Sequence, residues 1–121
     1  MRLAIIGSRS FSDSIYAFGV LDQVLSDAGH IECVISGGAR GADTLGTDWA
    51  VLRGIPYVVH LPMWDIYGRR AGFIRNHDII RDCDTLVAFW DGKSAGTRHS
   101  IDIAKNMSKT VIIKLTNDSN I

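Results

Sequence analysis

The chain carries only two cysteines and two prolines in 121 residues, and its formal net charge is zero. Cys33 and Cys83 lie in or beside apolar runs, so they make no disulfide framework and read as structural thiols of a cytosolic protein. Thirteen basic side chains balance thirteen acidic ones. Nothing therefore steers the whole molecule toward a polyanion or an anionic membrane, and nucleic acid is not expected as its partner. No apolar run approaches the length of a membrane-spanning helix. The opening Met1–Gly7 is a strand pattern, too short for a signal-peptide core, and a cytoplasmic location is expected. No His or Cys pair has metal-ligand spacing, so neither a metal nor a cofactor is expected. An apolar fraction of 46% is too high for disorder, and 121 residues make one domain, 1–121, around one core.

Short apolar runs recur along the chain. Those at Arg2–Ile6, Glu32–Ser36, Tyr57–His60, Asp84–Phe89 and Thr110–Leu115 are rich in Val and Ile, as in strands buried on both faces of a parallel sheet. Helical patterns alternate with them. One begins at a cap, Ser12 or Asp13, and closes at Gly29; the others span about Ala42–Arg53, Ala71–Asp82 and Thr97–Met107. This alternation predicts a doubly wound, three-layer α/β sandwich on a five-stranded parallel sheet. Right-handed crossovers would put every strand-to-helix loop on one edge, where ligands bind at the switch in strand order. His60–Arg70 reads as irregular because of Pro62, Trp64, Tyr67 and Gly68. The polar tail Thr116–Ile121 reads as frayed.

The richest stretch is Ser36-Gly37-Gly38-Ala39-Arg40-Gly41-Ala42-Asp43, between a β-branched run and a helical pattern. A strand that turns through glycines into a helix aims backbone N–H groups and the positive helix end at an anion. The plain alternative is a tight turn that needs glycine for its backbone angles. Similar turns follow two other strands, at Gly7-Ser8-Arg9-Ser10 and at Asp91-Gly92-Lys93-Ser94-Ala95-Gly96-Thr97-Arg98. Three turns at the same ends of parallel strands would form one anion-binding crevice. Of nine arginines, six fall in the predicted loops after strands or in the helices those loops lead into: Arg9, Arg40, Arg69, Arg70, Arg75 and Arg98. Locally concentrated arginine without net charge points to a small anion. Trp64, beside that cluster, either stacks on a base or ribose or seals the sheet edge.

Gly7-Ser8-Arg9, the Ser36–Asp43 stretch, Ala71-Gly72-Phe73-Ile74-Arg75-Asn76 and Gly96-Thr97-Arg98 resemble, in this order, the small YpsA-related branch of the SLOG superfamily. The resemblance runs from Arg2 to about Leu115. It implies a Rossmann-like fold with a nucleotide or nucleotide-derived ligand above the sheet. The group includes cytokinin-activating phosphoribohydrolases and DNA-processing protein A. The phosphoribohydrolases carry an arginine, which Arg75 resembles, and a glutamate in a Gly-Thr-x-x-Glu motif. Here Ser100 stands where that glutamate would be. A serine cannot supply the carboxylate that stabilises an oxocarbenium-like state. Arg75, Asp43 and Asp91 remain the catalytic candidates, although Asp43 also suits a helix start and Asp91 a turn. His77 and His99 could carry protons.

Three functions follow. The first is a sensor or sponge for a nucleotide signal. In it the turns Gly7, Ser8, Arg9; Ser36, Gly37, Gly38, Arg40, Gly41, Asp43; and Gly92, Gly96, Thr97, Arg98 hold phosphates with Arg75, while Asn76 and Trp64 orient sugar and base. The second is an N-glycosidic hydrolase of nucleoside monophosphates, with Asp43 or Asp91 as the carboxylate. The third is single-stranded DNA binding, which suits the glycine motifs but not the neutral charge. A homodimer is also expected. Related proteins pair through helices, and Phe73, Ile74, Ile79 and Ile80 offer more apolar surface than one small sheet needs.

Overall fold

The computed structural model describes residues 1–116. Its strands are β1 (Arg2–Gly7), β2 (Cys33–Ser36), β3 (Tyr57–Val59), β4 (Thr85–Trp90) and β5 (Thr110–Leu115). Its helices are α1 (Ser14–Ala28), α2 (Ala42–Leu52), α3 (Trp64–Tyr67), α4 (Ala71–Asp82) and α5 (Ala95–Asn106), with a 3-10 turn over Gly68–Arg70. All strand pairs are parallel, in the order β3-β2-β1-β4-β5. The fold is thus the expected Rossmann-like α/β sandwich.

Strand periodicity separates the two layers of core. Leu3 and Ile5 of β1, Val34 of β2 and Val87 and Phe89 of β4 pack beneath Ala17 and Leu21 of α1 and Trp49 of α2. Ala4 and Ile6, Ile35, and Leu86 and Ala88 face the other way, against Ile79 and Ile80 of α4 and Ile101 of α5. Chain order explains the division. The chain runs outward from β1 to β3 under α1 and α2, then returns to the far side of β1 to lay down β4 and β5 under α4 and α5. The switch in direction falls between β1 and β4.

Local signals account for the boundaries. Asp13 caps α1, its carboxylate accepting the Tyr16 N–H at 3.0 Å, and Gly29 ends the helix in the left-handed region. Three expectations change. β3 and β5 are sheet edges and are not buried on both faces; every residue of β3 is exposed. The segment after Pro62 is not wholly irregular, because one helical turn fits before Gly68, whose φ of 57° stops it. The apolar surplus of α4 is smaller than its sequence suggests: Ile79 and Ile80 pack on the chain's own sheet, Ile74 is half-buried, and Phe73 alone of the four is exposed. Of the tail expected to fray, 117–121 lie outside the described residues. Among the described residues, no helix is long and apolar enough to cross a membrane, and no set of three or more His, Cys, Asp or Glu gathers as metal ligands.

Candidate functional site

The loops after β1, β2 and β4 meet above the switch between β1 and β4. Gly7 lets them close: a Cβ there would collide with the carbonyl oxygen of Phe89 and with Ala42. Ser8, almost fully buried, then knits the loops together. Its N–H donates to Phe89 at 2.9 Å, its carbonyl accepts from Ala42 at 3.3 Å, and its Oγ accepts the Asp91 N–H at 3.2 Å. Gly41, at φ 79°, lies against the carbonyls of Ser8 and Arg9, where no side chain fits.

An inner cleft of about 410 Å³ opens at this junction. It gathers Gly7, Ser8 and Arg9 from the first loop, Arg40 and Asp43 from the second, Arg75 and Asn76 from α4, and Asp91, Gly96 and Thr97 from the third. An outer cleft of about 470 Å³ adjoins it, lined by Gly37, Gly38, Leu61, Pro62 and Trp64. Arg9, Ala39, Arg40 and Arg75 line both. Asn76 and Trp64, paired in the sequence reading, therefore sit in different clefts.

Four of the remaining candidates lie outside both clefts. Ser36 is buried beneath the turn and Gly41 packs on the first loop. Gly92 lines neither cleft, and Arg98 lies over the Trp90 ring at 5.5 Å. The exposed Arg69 and Arg70 also stand apart. Conversely, Ser10, Ile79, Ser94 and Ser100 line the inner cleft without having been singled out as ligand contacts. Helical spacing held the signal for two of them. Ile79 follows Arg75 by four residues, and Ser100 follows Gly96 by four and Thr97 by three, so each shares its neighbours' face. Ser100 thus occupies a cleft-facing position without the charge of the related glutamate.

The glycine turn after β2 uses its own donors. The Gly38 N–H donates to Ser36 Oγ at 3.1 Å, and the Ala39 N–H to Asp43 Oδ2 at 3.2 Å. Asp43 also accepts from the Gly37 backbone. Arg75 reaches across from α4 to donate to the Gly37 carbonyl at 2.6 Å, and its Nε donates to Asn76 Oδ1 at 3.1 Å. The turn is therefore a braced wall, and its N–H groups do not all face the cleft as the sequence suggested. The N-terminus of α5 is different. It has no side-chain cap, and Ser94, Gly96 and Thr97 border the cleft there. That helix end carries the partial positive charge and open N–H donors that suit an anion.

Burial pushes the Asp43 carboxyl up to about 6, against the opposing pull of the Ala39 and Gly37 N–H groups and of Arg75 and Arg9. Burial likewise lowers the Arg75 guanidinium, while Asp43 raises it. Asp91 Oδ1 accepts the N–H groups of Lys93 and Ser94 at 2.8 and 2.7 Å, which makes it a turn former as well as a cleft residue. His99 accepts from Asn76 Nδ2 at 3.3 Å and stacks edge-on with Phe73; burial, then His77, holds its pKa below the ordinary value. His77 stays outside both clefts.

Comparison with known proteins fits this geometry. The Gene 61 protein of Mycobacterium phage D29 is 33% identical over 117 residues, covering 92% of this chain and 94% of its own. DNA processing protein A of Streptococcus pneumoniae superimposes with a TM-score of 0.74 at 16% identity, over 96% of this chain but only 50% of that one. The same protein from Helicobacter pylori, solved to describe its single-stranded DNA binding mode, gives 0.72 at 18% identity, over 99% and 70%. This last finding corrects the expectation that nucleic acid is an improbable partner. That expectation averaged charge over the whole chain, whereas Arg9, Arg40 and Arg75 concentrate it at one cleft. Residues 1–67 match the family described as YspA, cpYpsA-related SLOG (YAcAr). With that match over more than half its length and the phage relative over nearly all of it, the chain belongs to the YspA, cpYpsA-related SLOG family.

Proposed function

We propose that this protein binds a nucleotide or nucleotide-derived ligand through its phosphate, in the inner cleft between β1 and β4, as a sensor or sponge. One observation carries the reading: Arg9, Arg40 and Arg75 converge with the uncapped N-terminus of α5 at the switch in strand order. Guanidinium forks and helix N–H donors both match phosphate oxygens. The contacts of Asp43 and Asp91 support binding without turnover, since each carboxylate braces a backbone turn. Serine at position 100 supports it too. The buried free thiols, Cys33 and Cys83, suit a reducing cytoplasm. Mass spectrometry of small molecules released from the denatured protein tests the reading. A phosphorylated nucleoside is the expected release, and free base after incubation with nucleoside monophosphates would replace binding with hydrolysis.

A second reading is favoured by the Helicobacter pylori likeness: the cleft receives one phosphate of a single DNA strand. Its signature is oligonucleotide affinity that falls steeply with salt.

A further inference from the structure

The outer cleft is built for something other than phosphate. Apart from the arginines at its boundary, it is lined by apolar side chains and bare backbone: Leu61, Pro62, Trp64, Gly37 and Gly38. No carboxylate, serine or threonine lines it. Trp64 is 55% exposed, an unusual setting for so large an apolar ring. It is not simply loose on the surface. Its ring edge rests over Gly72, 3.7 Å from where a Cβ would stand. The ring therefore has a seat at its edge and an exposed surface beside the cleft.

The outer cleft is also close in size to the inner one, and each falls in the range of about 300–1,000 Å³ that holds a small organic ligand. The two meet at Arg9, Arg40 and Arg75. A ligand spanning both would have its charged link at the arginines and a flat apolar group against the tryptophan.

Building on the nucleotide reading above, we propose that the outer cleft is a second nucleoside site with Trp64 as its stacking platform. The preferred ligand is then two nucleosides joined by a phosphodiester seated at Arg9, Arg40 and Arg75. Stacking on an aromatic side chain is tolerant of base identity, and the arginine trio supplies the anion contact. The same chemistry is presented by a free dinucleotide and by two adjacent residues of a strand.

Calorimetric titration of the whole chain with AMP, with the 5′-phosphorylated dinucleotide pApA and with a longer oligo(dA) strand tests the proposal. The dinucleotide is expected to bind about tenfold more tightly than AMP, or better. Trp64→Ala should bring that ratio close to one, and Trp64→Phe should keep most of it. AMP binding with no gain for pApA overturns the second site and leaves the nucleotide reading standing. A gain that survives Trp64→Ala also overturns it, whereas binding of neither AMP nor pApA overturns both. With the site established, oligo(dA) affinity equal to that of pApA identifies a strand as the source, and much weaker affinity identifies a free dinucleotide.

Discussion

Arg75 on α4 donates to the carbonyl oxygen of Gly37 at 2.6 Å, which locks the glycine turn after β2 to a helix on the opposite layer of the sheet. The same guanidinium borders both clefts. Arg75→Ala should therefore act on stability and binding together. A hydrogen bond from a charged donor is worth about 1.5–3 kcal/mol, and exposure of part of the side chain places this one toward the lower end. Urea unfolding of the variant checks the first effect and nucleotide titration the second. Unchanged stability would mean that Ser36 and Asp43 hold the turn without Arg75.

Asp43 gives the fold a pH dependence of unusual sign. Its carboxyl stands at about 6 when folded, against 3.8 ordinarily, so the folded state binds the proton more tightly than the unfolded one. Stability should fall as pH rises from about 4 to about 6, by an amount on the order of 2–3 kcal/mol. Asp43→Asn should flatten that interval, because the amide oxygen can still accept the Ala39 N–H. Thermal melts across pH 4–6 for both proteins measure this. A parent whose stability rises over that interval, with the variant matching it, contradicts the assignment.

Asp22 separates fold from site. It accepts the indole N–H of the fully buried Trp49 at 2.9 Å and pairs with Arg53 at 2.8 Å, far from either cleft. Those bonds hold its carboxyl down at about 2. Its contribution is present above the ordinary carboxylate value and is lost as pH falls toward 2. Asp22→Ala should cost about 1–2 kcal/mol by stranding the Trp49 donor. Chemical denaturation gives the loss, and titration of the folded variant should return the parent's nucleotide affinity.

Gly38 has a positive φ of 74°, and a Cβ there would come within 2.8 Å of Val59 and Leu61. The obstruction is thus the chain's own edge strand and the segment after it. Gly38→Val should lower the melting temperature by several degrees, since backbone strain and overpacking each cost about 1–3 kcal/mol. Differential scanning calorimetry reads the shift. A melting point equal to the parent's would show that Val59 and Leu61 yield freely.

Much of this was legible in the sequence because the informative residues are local. β1, β2 and β4 are buried on both faces, so their apolar runs are unbroken. Gly7, Ser8 and Arg9 close β1 or follow it directly, and Gly96 and Thr97 open the helix that follows β4, so local pattern brings all five to the cleft. What stayed hidden depends on contacts far apart in the chain. Ser8 meets Asp91 across 83 residues, and Arg75 meets Gly37 across 38. No local pattern reports that the turn's donors are already engaged, or that the one expected crevice is two clefts sharing Arg9, Ala39, Arg40 and Arg75. The burial of β3 is not legible either, because Tyr57-Val58-Val59 has the composition of a central strand while lying at an edge.

Phosphate recognition by the inner cleft is tested with least disturbance at Arg40, because its side chain is exposed. The measurement is calorimetric titration of the parent and Arg40→Ala with nucleoside monophosphates and with the matching nucleosides. A monophosphate is expected to bind the parent, its nucleoside to bind far more weakly, and Arg40→Ala to weaken the monophosphate by about tenfold or more without lowering the melting temperature. Equal affinity for monophosphate and nucleoside, or an Arg40→Ala variant that binds like the parent, would contradict phosphate recognition there.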